Sequence, residues 1–264
     1  MVRASFWQYS RLQQKNAFIA TLDQRLKESP ITIEEALSQI EHGNLDTLIH
    51  RRVSISGVYD FEHELILRNR RHLGMPGALI ITPLRITNTD KTILVNRGFI
   101  PLKDSNSLEK FRGNAPGTFI GLLKENMAKK FLAPPDPEVG GDLPFQTQWL
   151  RVNIPVIQLQ FPYSLLPLWT EIMNPDFSTE EVEKNIVTQS SAGREDMLFL
   201  PGNDKKKILS DSDIPNLPYP VPCYDTVIPP GRHKEYVYEW AVMAFLTLLI
   251  GVVLQLRRPA PSPQ

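Results

Sequence analysis

From Tyr236 to Leu256 the chain reads Y-V-Y-E-W-A-V-M-A-F-L-T-L-L-I-G-V-V-L-Q-L, with Glu239 as its only charge. As a helix, this run extends about 31 Å, close to the hydrocarbon thickness of a bilayer. Tyr236, Tyr238 and Trp240 gather at one end as interfacial aromatics do, and Arg257 and Arg258 close the other. Glu239 would be costly at mid-bilayer but is tolerable beside the headgroups. Residues 236–256 are therefore read as a transmembrane helix, and 257–264 as a short tail. Arg232 and Lys234 balance Arg257 and Arg258, so basic residues alone do not choose a side. The first residues, M-V-R-A-S-F-W-Q, contain no apolar run long enough for a signal peptide or a span. Two readings follow. Either the protein is tail-anchored with its domain inside, or a hydrophobic helix precedes this start.

Composition narrows what the remaining part can be. The 29 basic and 29 acidic side chains cancel, which removes any field for gathering nucleic acid. One cysteine, Cys223, rules out an internal disulfide and any cysteine-clustered metal site. Proline is abundant, 23 of 264 residues, so loops are expected to be many.

The order of elements is readable. Phe6, Leu12, Ile19, Leu22 and Leu26 recur at helical intervals among polar residues, so 6–28 reads as an amphipathic helix that Pro30 ends. Thr32 with Glu35 forms a capping-box signature for a short helix that Gly43-Asn44 stops. Strand patterns follow. R-V-S-I-S-G-V-Y-D alternates with period two; A-L-I-I-T-P-L-R-I, T-I-L-V-N-R-G-F-I, G-T-F-I-G-L-L-K and W-L-R-V-N-I-P come after it. The expected architecture is α+β and membrane-anchored. A mainly antiparallel β extramembrane domain, a sheet or small barrel spanning 31–228, is flanked by an N-terminal helix (1–28) and the transmembrane helix. Two stretches, 133–142 and 188–222, read as mobile loops.

No G-x-S-x-G elbow, Walker loop, H-E-x-x-H or G-x-G-x-x-G occurs. His42, His50, His63 and His72 lack chelating spacing and read as surface or hydrogen-bonded structural residues. Gly57 reads as a bulge or packing glycine. Thr82-Pro83 marks a strand edge or bend, because proline cannot donate to a ladder. In V-N-R-G-F, Asn96 and Arg97 arrive at a turn where Gly98 permits positive φ. Arg97 there suits a bidentate carboxylate partner, either an acid of the same chain or that of a ligand. His233, Tyr236 and Trp240, at i, i+3 and i+7, share one helical face.

The blocks G-V-Y-D, G-A-L-I-I-T-P-L and I-L-V-N-R-G-F-I-P resemble the Surfeit locus protein 1 family of cytochrome c oxidase assembly factors. W-Q-Y-S-R-L-Q-Q-K at 7–15 matches a family motif at Trp7, Gln8 and Arg11, with Gln14 where tryptophan is usual. R-H-K-E-Y-V-Y-E-W matches another at His233, Tyr236 and Trp240, with Glu239 for glutamine and Ala241 for phenylalanine. Phe99 also stands in place of a tryptophan. The resemblance implies two membrane helices, the first of which this chain would lack, and a domain in the periplasm of a bacterial member or facing the mitochondrial intermembrane space. It implies no enzymatic activity, partnership with oxidase subunit I, other assembly factors and membrane lipid, and transient haem A. His233 would then be the iron ligand, with Tyr236 and Trp240 packed on the macrocycle and Arg97 on a propionate. The alternative is a protein-interaction scaffold of the assembly intermediate that binds no haem.

Overall fold

The computed structural model describes residues 2–72, 75–173, 219–222 and 230–257. The expected mobile excursion at 188–222 therefore falls, up to residue 218, outside the described residues. These divide into two units, one made of 2–23 and 230–257 and the other of 24–173 and 219–222.

Helix α1 (Val2–Lys27) carries Phe6, Trp7 and Tyr9 exposed near its start and buries Leu26 near its end. Arg25 donates to the Ile49 carbonyl, which ties this C-terminal end to the second unit, of which it is part. Strand β1 (Ile31–Thr32) leads directly into α2 (Ile33–Glu41). The capping box forms as the sequence indicates. Thr32 Oγ1 accepts from Glu35 N at 3.2 Å, and Glu35 Oε2 accepts from Thr32 N at 3.1 Å. Two orphan amides of the helix start are thereby satisfied. Gly43, at φ +77°, turns the chain after α2 into the short α3 (Leu45–Leu48).

The sheet comprises β1, β2 (Arg52–Tyr59), β3 (Leu65–His72), β4 (Met75–Ile86), β5 (Thr92–Pro101), β6 (Thr118–Lys124), β7 (Gln148–Trp149) and β8 (Leu165–Ile172). Its order is β1-β2-β6-β8-β5-β4-β3-β7, and an additional β2–β4 pairing closes it. Five strands, β2, β6, β8, β5 and β4, thus form a ring, and β3 and β7 extend it from β4. Closure pairs the ring strands with one another and leaves the two-residue β1 and β7 as the sheet's outer edges.

Alternation along the strands explains the packing. Val53, Ile55, Leu84, Ile93, Val95, Leu123 and Leu168 meet in one apolar cluster, joined by Ile33 and Ala36 of α2 and by Leu48. Residues of opposite parity, Leu79, Ile81, Leu94 and Trp169, enter a second cluster with Trp149, Ile157 and Phe161. The sheet is therefore covered on both faces here, and every residue of β5 is buried. This is why T-I-L-V-N-R-G-F-I reads as nearly continuous rather than alternating.

Several sequence expectations need correction. The sheet is mainly antiparallel, as expected, but three of its eight strand pairings are parallel. β5 and β8 run parallel, as do β1–β2 and β3–β7, because the connections between these pairs return the chain in the same direction. Of W-L-R-V-N-I-P only Trp149 is in a strand, the two-residue β7. Arg151 and Asn153 then turn to Asp136 at 2.7 and 2.6 Å, and Ile154–Ile157 coils into the short α4 with proline in its first turn. L-I-L-R-N-R-R-H and L-L-P-L-W-T-E-I, not read as strands, are β3 and β8. In β3 the register shifts between Leu67 and Arg70, with Asn69 at φ +58°, and this breaks period two. In β8 the pairing with β5 jumps from Leu165 to Trp169, past Pro167.

The last helix, α5 (Pro230–Leu256), contains a 22-residue stretch, Glu235–Leu256, whose most apolar window has mean hydropathy 2.1. It is long and apolar enough to cross a bilayer, and its most apolar window is not buried within the protein.

Two histidines make the fold sensitive to acid. Burial pushes the His72 imidazole down to about 4, and burial with the nearby Lys124 and Arg25 charges does the same for His50. An unfolded histidine titrates near 6.5. The folded chain is thus favoured only while these rings are neutral, fully above about pH 6.5 and progressively less as the pH falls towards 4. His72 is wholly inaccessible and packs 5.0 Å from the Phe99 ring. Between pH 7 and 4.5 the wild type should lose about 2 kcal/mol more stability than His72→Gln. Urea titration followed by near-UV circular dichroism at the two pH values measures the difference.

Candidate functional site

The T-P-L and V-N-R-G-F blocks face each other across β4 and β5, and their chemistry converges at one end of the ring. Pro83 sits where β4 changes neighbours. β3 pairs with β4 as far as Ile81, and β2 takes over from Leu84. The Pro83 carbonyl accepts from Asp60 N at 2.9 Å across this gap, so the missing proline amide falls on an edge that no strand pairs. Thr82-Pro83 is thus a local edge within an interior strand. Gly57 is a packing glycine: a Cβ there would lie 2.4 Å from the Arg85 carbonyl oxygen.

Opposite, Ile80 pairs with Gly98 while Ile81 pairs with Asn96, which leaves Arg97 as the extra residue of a β-bulge. Bulges re-aim side chains at such positions. The bulge is held in two ways. Asn96 Oδ1 accepts from Gly98 N at 3.0 Å, and Gly98 adopts φ +130°, where a Cβ would come within 2.4 Å of the Val221 carbonyl oxygen. Phe99, fully buried, then exchanges two backbone hydrogen bonds with Val221, at 2.7 and 3.0 Å.

Arg97 finds an acid of its own chain. Its Nη1 donates to Glu64 Oε1 at 3.0 Å and its Nη2 to the Phe111 carbonyl, and its guanidinium lies over the rings of Tyr59 and Phe61 at 5.7 and 5.4 Å. The same Glu64 oxygen accepts from Thr82 Oγ1 at 3.1 Å, and Oε2 accepts from Arg112 Nε at 3.0 Å. Arg112 in turn donates to the Phe61 carbonyl at 2.9 Å. The side chains of Arg97 and Glu64 are 1% and 3% exposed, whereas that of Arg112 is 38% exposed. One carboxylate therefore joins two guanidiniums, one sealed in and one at the surface.

Electrostatics follow from this burial. Burial works against the Arg97 charge and Glu64 supports it. Arginine is so basic that the guanidinium remains protonated. Burial also pushes the Tyr59 phenol up, and the Arg97 charge offsets only part of that. The partner matches the same-chain alternative for Arg97, an acid of its own chain; the expected turn does not form, because Asn96-Arg97-Gly98 make a bulge in the middle of β5, which runs on to Pro101.

Glu64 and Arg112 escaped the sequence reading. The available signal was an acid entering the apolar run of H-E-L-I-L. The link between β2 and β3 also carries a second network on its other side. Asp60 Oδ2 accepts from Tyr163 Oη at 2.6 Å and contacts His63 Nδ1 at 2.7 Å. Burial pushes the Asp60 carboxyl up, but hydrogen bonds from Tyr163 and His63 outweigh it and hold it below the usual carboxylate range. His63 and His42, whose Nδ1 lies 2.6 Å from the Ser38 carbonyl, are hydrogen-bonded structural histidines. Among the described residues no group of three metal-ligating side chains occurs.

The other motif residues lie in the other unit. On α1, the Arg11 guanidinium sits 5.6 Å over the Trp7 ring and donates to Gln14 Oε1 at 3.1 Å, with Gln8 alongside in sequence. On α5, Tyr236, 39% exposed, and Trp240 follow the first turn of the helix, in which His233 stands in sequence.

The SURF1 family model matches residues 1–245 of the chain. Similar proteins include a SURF1-like protein of Monosiga brevicollis, 26% identical over 160 residues that cover 56% of this chain and 57% of that one. Surfeit locus protein 1 of Takifugu rubripes is 29% identical over 145 residues, 48% of this chain and 58% of its own. A SURF1-like protein of Rickettsia bellii (strain RML369-C) is 29% identical over 124 residues, 46% of this chain and 48% of its own. The matches thus span about half the length of these curated relatives.

The ion cluster has a thermodynamic signature. Glu64→Gln strands the sealed Arg97 charge and should destabilise the domain by about 3–5 kcal/mol. Arg112→Gln, at the surface, should cost about 1 kcal/mol or less. The paired replacement Glu64→Leu with Arg97→Met removes both charges and should recover most of the loss. Urea midpoints of the three variants, in detergent, test the ranking.

Proposed function

The chain belongs to the SURF1 family, and from that premise we propose that it is a membrane-anchored, non-catalytic assembly factor for cytochrome c oxidase. It helps deliver haem A to subunit I, or insert it there, in company with other oxidase assembly factors. The observation that carries this reading is the family match across 1–245, which takes in the V-N-R-G-F block and most of α5. In this reading α5 anchors the β domain to the membrane. The compartment is the periplasmic face of a bacterial inner membrane, or the corresponding face of the mitochondrial inner membrane; relatives from both bacteria and animals support either.

The residues present differ in how well they suit haem. Arg97 fits poorly as a propionate partner, because its guanidinium is sealed and already engaged by Glu64 and Phe111. Its role is to fix the end of the ring from which the rest of the domain is built. His233, Tyr236 and Trp240 fit better: an imidazole and two aromatics at i, i+3 and i+7 of a helical sequence, with Tyr236 39% exposed. When bound, haem A would supply an iron that takes an imidazole nitrogen as a ligand. His233 would hold that position, with Tyr236 and Trp240 packing beside it where the helix meets the bilayer surface. The apolar run beyond Trp240 would keep the site at that depth.

The absorption spectrum of the protein purified from cells making haem A tests the proposal. Wild type should carry a Soret band that His233→Ala abolishes or strongly shifts. Trp240→Ala should weaken retention only in part, since it removes packing but no iron ligand. Membrane insertion should be unchanged in both. A wild type that carries no haem yet co-purifies with subunit I would favour the scaffold role instead.

A further inference from the structure

Between β6 and β7 the chain forms a turn at Lys130–Ala133, closed by Ala133 N donating to the Lys130 carbonyl at 3.1 Å. Its two central residues are Phe131 and Leu132, 94% and 89% exposed. No other described large apolar side chain is as exposed as these two. Leu132 also holds φ +67°, a region that a bulky side chain rarely occupies. Strain of this kind persists only where the surroundings impose it.

The base of the turn supplies that constraint. Before it, Met127 N donates to the Val152 carbonyl at 2.9 Å. After it, Arg151 Nη2 donates to the Pro134 carbonyl at 2.6 Å, and Asp136 takes hydrogen bonds from Arg151 and Asn153. The loop is thus pinned on both sides to 151–153 and pushes two apolar side chains outward. Lys129 and Lys130, both exposed, precede them, and no ion pair of either occurs among the described residues. Asp136, the first acid after the turn, is already paired with Arg151.

We propose that this turn is a membrane-contacting tip, which seats Phe131 and Leu132 in the interface of an anionic bilayer with Lys129 and Lys130 on its headgroups. A protruding pair of apolar side chains with adjoining cations suits a lipid surface, which needs no complementary shape, only depth and negative charge. The tether makes the encounter favourable. A domain attached to a bilayer-length helix meets that bilayer at high effective concentration, so two side chains and two charges suffice to hold a contact that they could not hold free in solution. The inference rests on α5 being the anchor and requires nothing of haem.

The test uses the full chain with Cys223→Ser, reconstituted in nanodiscs of phosphatidylcholine with or without phosphatidylglycerol. Ala133→Cys carries a nitroxide beside the intact Phe131 and Leu132. Val58→Cys marks a well-exposed strand position, and Ile250→Cys marks α5. Accessibility to oxygen and to a water-soluble nickel chelate is read by electron paramagnetic resonance. In anionic discs, the Ala133→Cys label should lose about threefold in chelate accessibility relative to Val58→Cys, as expected for insertion of about 5–10 Å. Phe131→Ser with Leu132→Ser, or Lys129→Glu with Lys130→Glu, should return it to the aqueous value. If the Ile250→Cys label reports lipid while the tip stays as wet as Val58→Cys in both compositions, the tip proposal is wrong and the anchor stands. If Ile250→Cys is itself aqueous, both fail. A tip label that is shielded only after oxidase subunits are added assigns the turn to a protein partner and overturns the lipid contact.

Discussion

The Glu64 carboxylate binds three donors from separate parts of the chain, Thr82 of β4, Arg97 of β5 and Arg112 after β5. Burying such a group unpaired would be prohibitive, so its partners must arrive together. That requirement dictates much of the local backbone. Arg97 can reach inward because it is the bulged residue of β5. The bulge in turn needs Gly98 at φ +130°, and the close approach of Val221 needs the same glycine to lack a side chain. On β4, Pro83 marks the place where β3 gives way to β2, and the link carrying Glu64 crosses there. The conspicuous V-N-R-G-F and T-P-L blocks are two halves of one arrangement, built around an acid outside both.

This arrangement also divides labour between the two sides of the β2–β3 link. Phe61 and Glu64 face the arginines, whereas Asp60 and His63 face Tyr163 and its aromatic neighbours. A five-residue segment thereby locks the ring end to the segment between β7 and β8. The segment between β6 and β7 carries the Phe131–Leu132 turn, whose base is pinned by Arg151 and Asn153. Rigidity at the ring end and exposure at the tip therefore coexist in one domain.

How far the sequence could be read depended on whether the partners were near. The Thr32–Glu35 cap lies within one helical turn, and β2 keeps clean alternation, so both were legible. β3 and β8 were hidden because a register shift in one and a skip past Pro167 in the other erased period two. The parallel β5–β8 pair was hidden for another reason: strand direction is set by the long connection between them, not by either strand. Arg97 stood out as a cation in an apolar strand, yet Glu64 lies 33 residues away, where it follows Glu62 and His63 and does not stand out as a lone acid. Whether that arginine met its own chain or a ligand was a question of distance in space, which no local pattern carries.

The central claim is that Arg97 sustains the folded domain from within. Its most direct test is Arg97→Ala in cells, with full-length protein and assembled oxidase quantified together. An internal lock predicts that the two fall in parallel, because an incompletely paired buried carboxylate lowers the folded fraction and exposes the chain to proteolysis. Normal abundance with normal protease resistance, alongside a loss of oxidase, would contradict it and place Arg97 in direct contact with the cargo or a partner.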